Sequence, residues 1–221
     1  MVRGLLRGVG AGLVPAALVT VALTGCSSDG ESDRPQSGAS AKGAAKGEAP
    51  GKGDATPAAA KGGTVGGAGS PCALPVSFDL AADWKPKAVK EDKQFGLTKQ
   101  GPVTLVCEID AKPAGNIGFL RVWTGGHAGD DPRKALEAFV AEEAKSRDKV
   151  AYAQIKAGEY AATEVTYLNT NEFLDAPKKE RALALTTPKG VVVVHLGGLD
   201  NEEHEGMLPA YELAKKSLHG A

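Results

Sequence analysis

Four histidines, three cysteines and a few adjacent acids are the residues of this 221-residue chain whose types and spacing could do chemistry. His127 stands in GGHAGDDP (125–132), just ahead of Asp130 and Asp131. An imidazole close to two carboxylates could serve as a general base for hydrolysis, and a glycine-rich loop of this kind could hold a metal or a phosphate. The same residues also suit a plain strand-to-helix connection, with the acids capping the helix and favouring its dipole. GGHAGDDP carries neither GxGxxG spacing nor the P-loop lysine, and neighbouring carboxylates need not converge on one substrate. His127, Asp130 and Asp131 therefore stand as a candidate binding loop.

The other histidines point to less. His195 follows four valines in VVVVHL (191–196), which predicts a hydrogen-bonded histidine of a central strand. His204 lies in DNEEHEG, where acids ahead of a helix are expected and no D-x-D-x-D-G calcium loop is present. His219 is next to the chain end. There is no G-x-S-x-G elbow. APKKER (176–181) reads as an exposed turn. The expectation is a protein with no catalytic residue, no metal ligand set and no cofactor.

Cys26 ends an apolar run. Met1–Arg7 carries Arg3 and Arg7 and no acid, and Val9–Leu23 is apolar or small apart from Pro15 and Thr20. At about fifteen residues this is shorter than the roughly 20 a membrane span needs, but it has the order of a secretory signal. Leu23-Thr24-Gly25-Cys26 resembles the lipobox of bacterial lipoproteins. The resemblance implies cleavage just before Cys26, diacylglycerol on its sulfur, and acyl chains such as palmitate that hold the mature chain at the extracytoplasmic face of the cell membrane. Two or more chains make such an anchor durable.

With Cys26 assigned to lipid, Cys72 and Cys107 remain. An even pair in an exported chain reads as a disulfide. Closing a loop of about 36 residues is worth about 3–4 kcal/mol on a chain-entropy view whose mechanism is disputed. Free thiols or a metal pair are the alternatives, and two distant cysteines make a poor zinc signature.

The formal net charge is −1, and loss of Arg3 and Arg7 leaves −3. No basic patch of the kind that binds nucleic acid is present. Residues 26–70, rich in Gly, Ala, Ser, Lys and Pro, bury too little apolar surface to offset ordering and are expected to form a disordered tether. As a flexible coil it spans about 35–40 Å. All eleven aromatic residues follow it, so 71–221 is expected to be a single folded domain, after a signal peptide over 1–25.

Within 71–221 the expected order is three strands, a helix, four strands, a helix. Val103–Ile109 and Ile117–Trp123 flank the turn Lys112–Gly115. Asp130 or Asp131 caps a helix entered through Pro132, with Leu136, Phe139, Val140 and Ala144 on one stripe. Hairpins follow at Ala157-Gly158 and at Pro188–Gly190. Met207, Tyr211, Ala214 and Leu218 share a face of the last helix, which Pro209 places from about Leu208 onward. The fold class is α+β, a mainly antiparallel sheet with two helices packed on one face.

FDLAADW (78–84), NIGFLRVW (116–123), IKAGEYAATEVTYL (155–168), RALALTTPKGVVVVHL (181–196) and MLPAYELAKKSL (207–218) resemble the PsbP-like fold. That fold is shared by a photosystem II oxygen-evolving subunit and a small Ran-binding import factor, and the resemblance is closer to small actinobacterial lipoproteins of LpqN type. It implies a non-catalytic binding or accessory role at the cell envelope, with a protein or polymer partner. Two other functions stay open: a carrier of a small ligand or lipid, and a small envelope hydrolase using His127 with Asp130 or Asp131.

Overall fold

The computed structural model describes residues 58–90, 98–171 and 175–221. The lipobox Leu23–Cys26, the signal segment and most of the expected tether lie outside the described residues. In chain order the strands are β1 (Lys61–Val65), β2 (Val76–Ala81), β3 (Lys85–Ala88), β4 (Lys99–Gln100), β5 (Val103–Asp110), β6 (Gly118–Gly125), β7 (Ser146–Ala157), β8 (Tyr160–Thr170), β9 (Lys178–Thr187), β10 (Gly190–Gly198) and β11 (His219–Gly220). Helix α1 (Pro132–Glu143) falls between β6 and β7, and α2 (Asn201–Ser217) between β10 and β11.

The main sheet runs β3-β5-β6-β10-β9-β8-β7, with β4 also on β5; β1-β2-β11 form a small second sheet. Every pairing between these strands is antiparallel. The expected α+β class with a mainly antiparallel sheet is what the chain adopts.

The helix placement corrects the sequence reading: α1 and α2 cover opposite faces of the main sheet. Val191 and Val193 of β10 pack with Leu136, Phe139 and Val140 of α1. Val192, Val194 and Leu196 pack instead with Met207, Tyr211 and Ala214 of α2 and with Phe78 of β2. Side chains alternate across a strand, so a run of valines buried at every position needs a cover on both sides. β10 is buried throughout.

Three further expectations are revised. α2 starts at Asn201 and not near Leu208, and Pro209 lies inside it. The Asp200 side chain accepts from the Glu203 N–H at 2.9 Å, and Glu202 and Glu203 favour the positive end of the helix dipole. That capped start, together with the buried face, offsets the one main-chain donor proline lacks. The expected tether ends too late: Lys61–Val65 is a strand paired with β2, and Val65 is fully buried. Its Gly-Gly-Thr composition hides it, because it joins by backbone pairing and one buried side chain. APKKER is not wholly an exposed turn either. Lys178–Arg181 belong to β9, and Glu180 is buried.

Cys72 and Cys107 form a disulfide with Cα atoms 5.8 Å apart. It ties the segment ahead of β2 to the middle of β5, within the core cluster on the α2 face. At the β7–β8 turn, Gly158 has φ +55°, and a Cβ there would collide with the Leu218 carbonyl. Glycine at that turn therefore lets the end of the chain pack close, where Glu159 N–H donates to Leu218 O at 2.9 Å.

Candidate functional site

The loop between β6 and α1 divides the three residues singled out in the sequence. Asp131 is the N-cap of α1, its carboxylate accepting from Arg133 N–H at 2.9 Å. Asp130 turns back into the loop and accepts from the His127 N–H at 2.8 Å. His127 Nδ1 stands 3.7 Å from Asp130 Oδ2, with the imidazole 92% exposed. His127 and Asp130 are thus neighbours, while Asp131 is engaged with the helix. The carboxylates hold backbone, and the imidazole stands in solvent with no wall behind it.

Buried polar chemistry lies elsewhere. On the α1 face, His195 Nε2 is 3.1 Å from Glu180 Oε2, and Lys178 Nζ is 2.8 Å from Glu180 Oε1. Lys178 also donates to Gly198 O at 2.8 Å. Burial alone would raise the Glu180 pKa, but the His195 hydrogen bond and charge and the Lys178 ammonium outweigh it and hold it below the usual carboxylate range. Phe139 of α1 meets the His195 ring edge-on at 5.5 Å. Tyr167 donates to Glu143 Oε2 at 2.7 Å, and burial followed by the Glu143 charge pushes its pKa well up.

Glu143, Glu180 and His195 can each offer a ligand atom within 4.8 Å of the others. In type these donors suit a divalent cation. As they stand, each already has a protein partner: Tyr167 for Glu143, Lys178 and His195 for Glu180. The arrangement is that of a buried ion-pair network.

On the α2 face a cavity of about 270 Å³ opens between β8, β9 and the first turns of α2. Thr166, Leu168, Lys179 and Arg181 line it from the strands, His204 from α2, and Lys149 from β7. Lys149 reaches this place because a bulge between Asp148 and Ala151 interrupts β7–β8 pairing, with Lys149 at φ +51°. His204 is only 3% exposed. Burial is the main cause that lowers its pKa to about 4, so it is neutral at pH 7. Below the cavity, Tyr211 donates to Glu164 Oε1 at 2.8 Å, and Lys215 stands 3.1 Å from the same oxygen.

Sequence reading missed this cavity. Its signal is the two-residue alternation in KKERALAL, which puts Lys179 and Arg181 on one face of β9 and Glu180 on the other. His204 was seen but set ahead of the helix; one turn into α2, it is buried against the sheet.

These features define a small disulfide-braced α+β domain with buried ion pairs and a lined cavity beside α2. A family profile described as "Uncharacterised lipoprotein" matches residues 41–218, and the chain belongs to that family. Its members are lipoproteins, which places the chain at a membrane through a lipid anchor. Among the described residues no helix is long and apolar enough to cross a membrane. The match begins after Cys26, so the attachment residue rests on the lipobox motif. No curated protein matches the chain. Among solved structures, the solution structure of cyanobacterial PsbP (CyanoP) from Synechocystis aligns at 12% identity, over 66% of this chain and 87% of that one, with a TM-score of 0.45.

Proposed function

We propose that this chain is a lipoprotein acylated on Cys26 and held at the extracytoplasmic face of the cell membrane, where its domain acts as a non-catalytic binding or accessory module. Family membership carries the reading, and the lipobox Leu23–Cys26 names the attachment point. Residues 1–25 are then the signal peptide, and the Gly-, Ala-, Ser-, Lys- and Pro-rich composition after Cys26 supports a tether between the lipid and the domain. A tether raises the local concentration of partners at the membrane or wall. Likeness to LpqN-type lipoproteins rests on the sequence motifs alone.

The hydrolase alternative draws no support from the His127 loop, where the imidazole is solvated and Asp131 is committed to a helix cap. The carrier alternative is favoured by a specific observation, the lined cavity beside α2.

Metabolic labelling with a palmitate analogue, on the full chain and on Cys26→Ala, tests the reading in the native host. The wild-type protein is expected to carry label, fractionate with membranes and co-isolate an envelope component. Cys26→Ala should lose label and membrane association together. Label that persists on Cys26→Ala overturns the anchor assignment. A wild-type chain that co-isolates nothing shifts the reading to the carrier.

A further inference from the structure

β7 is the outermost strand of the main sheet and pairs only with β8. It is 12 residues long and exposed at nearly every position. The opposite edge is blunted, since β3 has 4 residues and one of them is Pro86. Past its bulge, β7 keeps unbroken register from Ala151 to Ala157. Gly158 and Glu159 then form a two-residue turn, with Gly158 at φ +55°. Such a hairpin closes on a hydrogen-bonded pair, and bonded and unbonded pairs alternate from there. Counting back from Ala157, the main chain of Tyr152, Gln154 and Lys156 turns away from β8. Their N–H and C=O groups meet no partner among the described residues. Ala151 and Ala153 are exposed and too small to cover this edge, while Tyr152 and Ile155 are half-buried beside it. At the hairpin end lies a shallow cleft of about 450 Å³, lined by Gln154, Ile155, Lys156, Glu159, Tyr160 and Ala161.

We propose that the β7 edge takes up an extended, acidic segment of a partner protein as an added strand. Donors and acceptors alternating at strand spacing match a polypeptide backbone, which a polysaccharide lacks. Charge decides the kind of segment. Arg147, Lys149 and Lys156 stand along β7 against Asp148, with Glu159 in the turn. None of the five forms an ion pair among the described residues, so the edge keeps an excess of positive charge. A second copy of this chain would set that positive strand against itself, which like charges oppose. Acidic side chains alternating with β-branched ones balance the edge and pack beside Tyr152 and Ile155.

This inference rests on the accessory-module reading and names the surface and partner class for it. The full chain in detergent is titrated with a fluorescein-labelled peptide, Thr-Glu-Val-Glu-Val-Glu-Thr. Two control peptides carry lysine for each glutamate, or N-methyl groups on alternate amides. Anisotropy reads binding, and amide exchange is followed at Tyr152, Gln154 and Lys156. The acidic peptide is expected to saturate, about tenfold tighter than the lysine peptide, and to slow exchange at those three amides. The N-methylated peptide should not bind. Lys156→Glu, at an exposed position, should weaken the acidic peptide about fivefold with an unchanged melting temperature. No saturation, equal binding of the lysine or N-methylated peptide, or unprotected β7 amides would each overturn the proposal. Protection that grows with protein concentration in the absence of peptide would assign the edge to a second copy and overturn it too. Lys156→Glu protein that still co-isolates the wild-type envelope component would overturn this surface and leave the accessory reading standing. Cys26→Ala protein should bind the peptide like wild type, so failure of the lipid anchor is read separately.

Discussion

His195 Nε2 and Glu180 Oε2 lie 3.1 Å apart, both side chains buried between β9, β10 and α1. Lys178 on the other oxygen completes the arrangement at 2.8 Å. Removing one member of a buried pair strands the rest, at a cost of about 3–5 kcal/mol. Glu180→Ala is therefore expected to lower the unfolding free energy from urea titration by an amount in that range, and a loss under about 1 kcal/mol would show the network to be poorly coupled. The pH dependence has a fixed sign. Because the folded Glu180 pKa is depressed, its contribution is full above the unfolded value of about 4.3. It is lost as pH falls through the lower folded value.

His204 titrates against folding in a different window. Its folded pKa is lowered to about 4 from 6.5. Unfolded chains take up the proton first as pH falls below 6.5, so stability declines between pH 6.5 and 4 and is fully retained above. At 1.36 kcal/mol per unit the decline is about 3 kcal/mol. Denaturant unfolding at pH 7.0, 5.5 and 4.5 should show it, and His204→Gln should flatten the slope in that window. An equal slope in the variant would assign the effect to other groups.

The disulfide closes a 35-residue separation. Chain entropy gives about 3–4 kcal/mol for a loop of that size. Replacing both Cys72 and Cys107 with serine should cost at least that, since two buried positions gain hydroxyls. Thermal melts with and without reductant check the same quantity on the unaltered chain. An unchanged melting temperature on verified reduction would remove the bond from the account of stability.

The His127 loop offers a direct contrast. Asp131→Ala removes an N-cap and should cost about 1 kcal/mol. His127→Ala removes a solvated side chain and should leave the melting temperature within the scatter of repeat scans. If His127→Ala destabilises by as much as Asp131→Ala, the imidazole supports the loop in a way its 92% exposure does not show.

The sequence made the strands legible wherever one face is polar, as in β5 and β8, because a period of two is visible there. α1 was legible in its start at Pro132 and its buried stripe, since Asp-Pro followed by a 3.6-residue pattern has few other readings; which of Asp130 and Asp131 caps it was not, and the structure gives Asp131. The unbroken valine run marks β10 as central, but which element covers each of its faces is set by tertiary packing, α1 on one and α2 on the other. β1 was hidden because backbone pairing needs almost no side-chain signal. The early start of α2 was hidden by Pro209, whose local penalty was weighed without the packing that offsets it. The cavity was the least visible part. It depends on a β-bulge that brings Lys149 to the rim and on His204 facing inward, both set by tertiary contacts.

The small sheet has a mechanical meaning. Among the described residues, a pull from the N-terminal side reaches β1 before the disulfide, and β1 is held to β2 by an antiparallel ladder and the Lys61–Asp79 ion pair. Once that ladder gives way, the load arrives at Cys72 and passes covalently to Cys107 in β5, inside the main sheet. β1 is then a release that lengthens the leash by some ten residues, and the disulfide is the stop behind it. A domain pulled from its N-terminal side would then yield a little slack without unfolding its core.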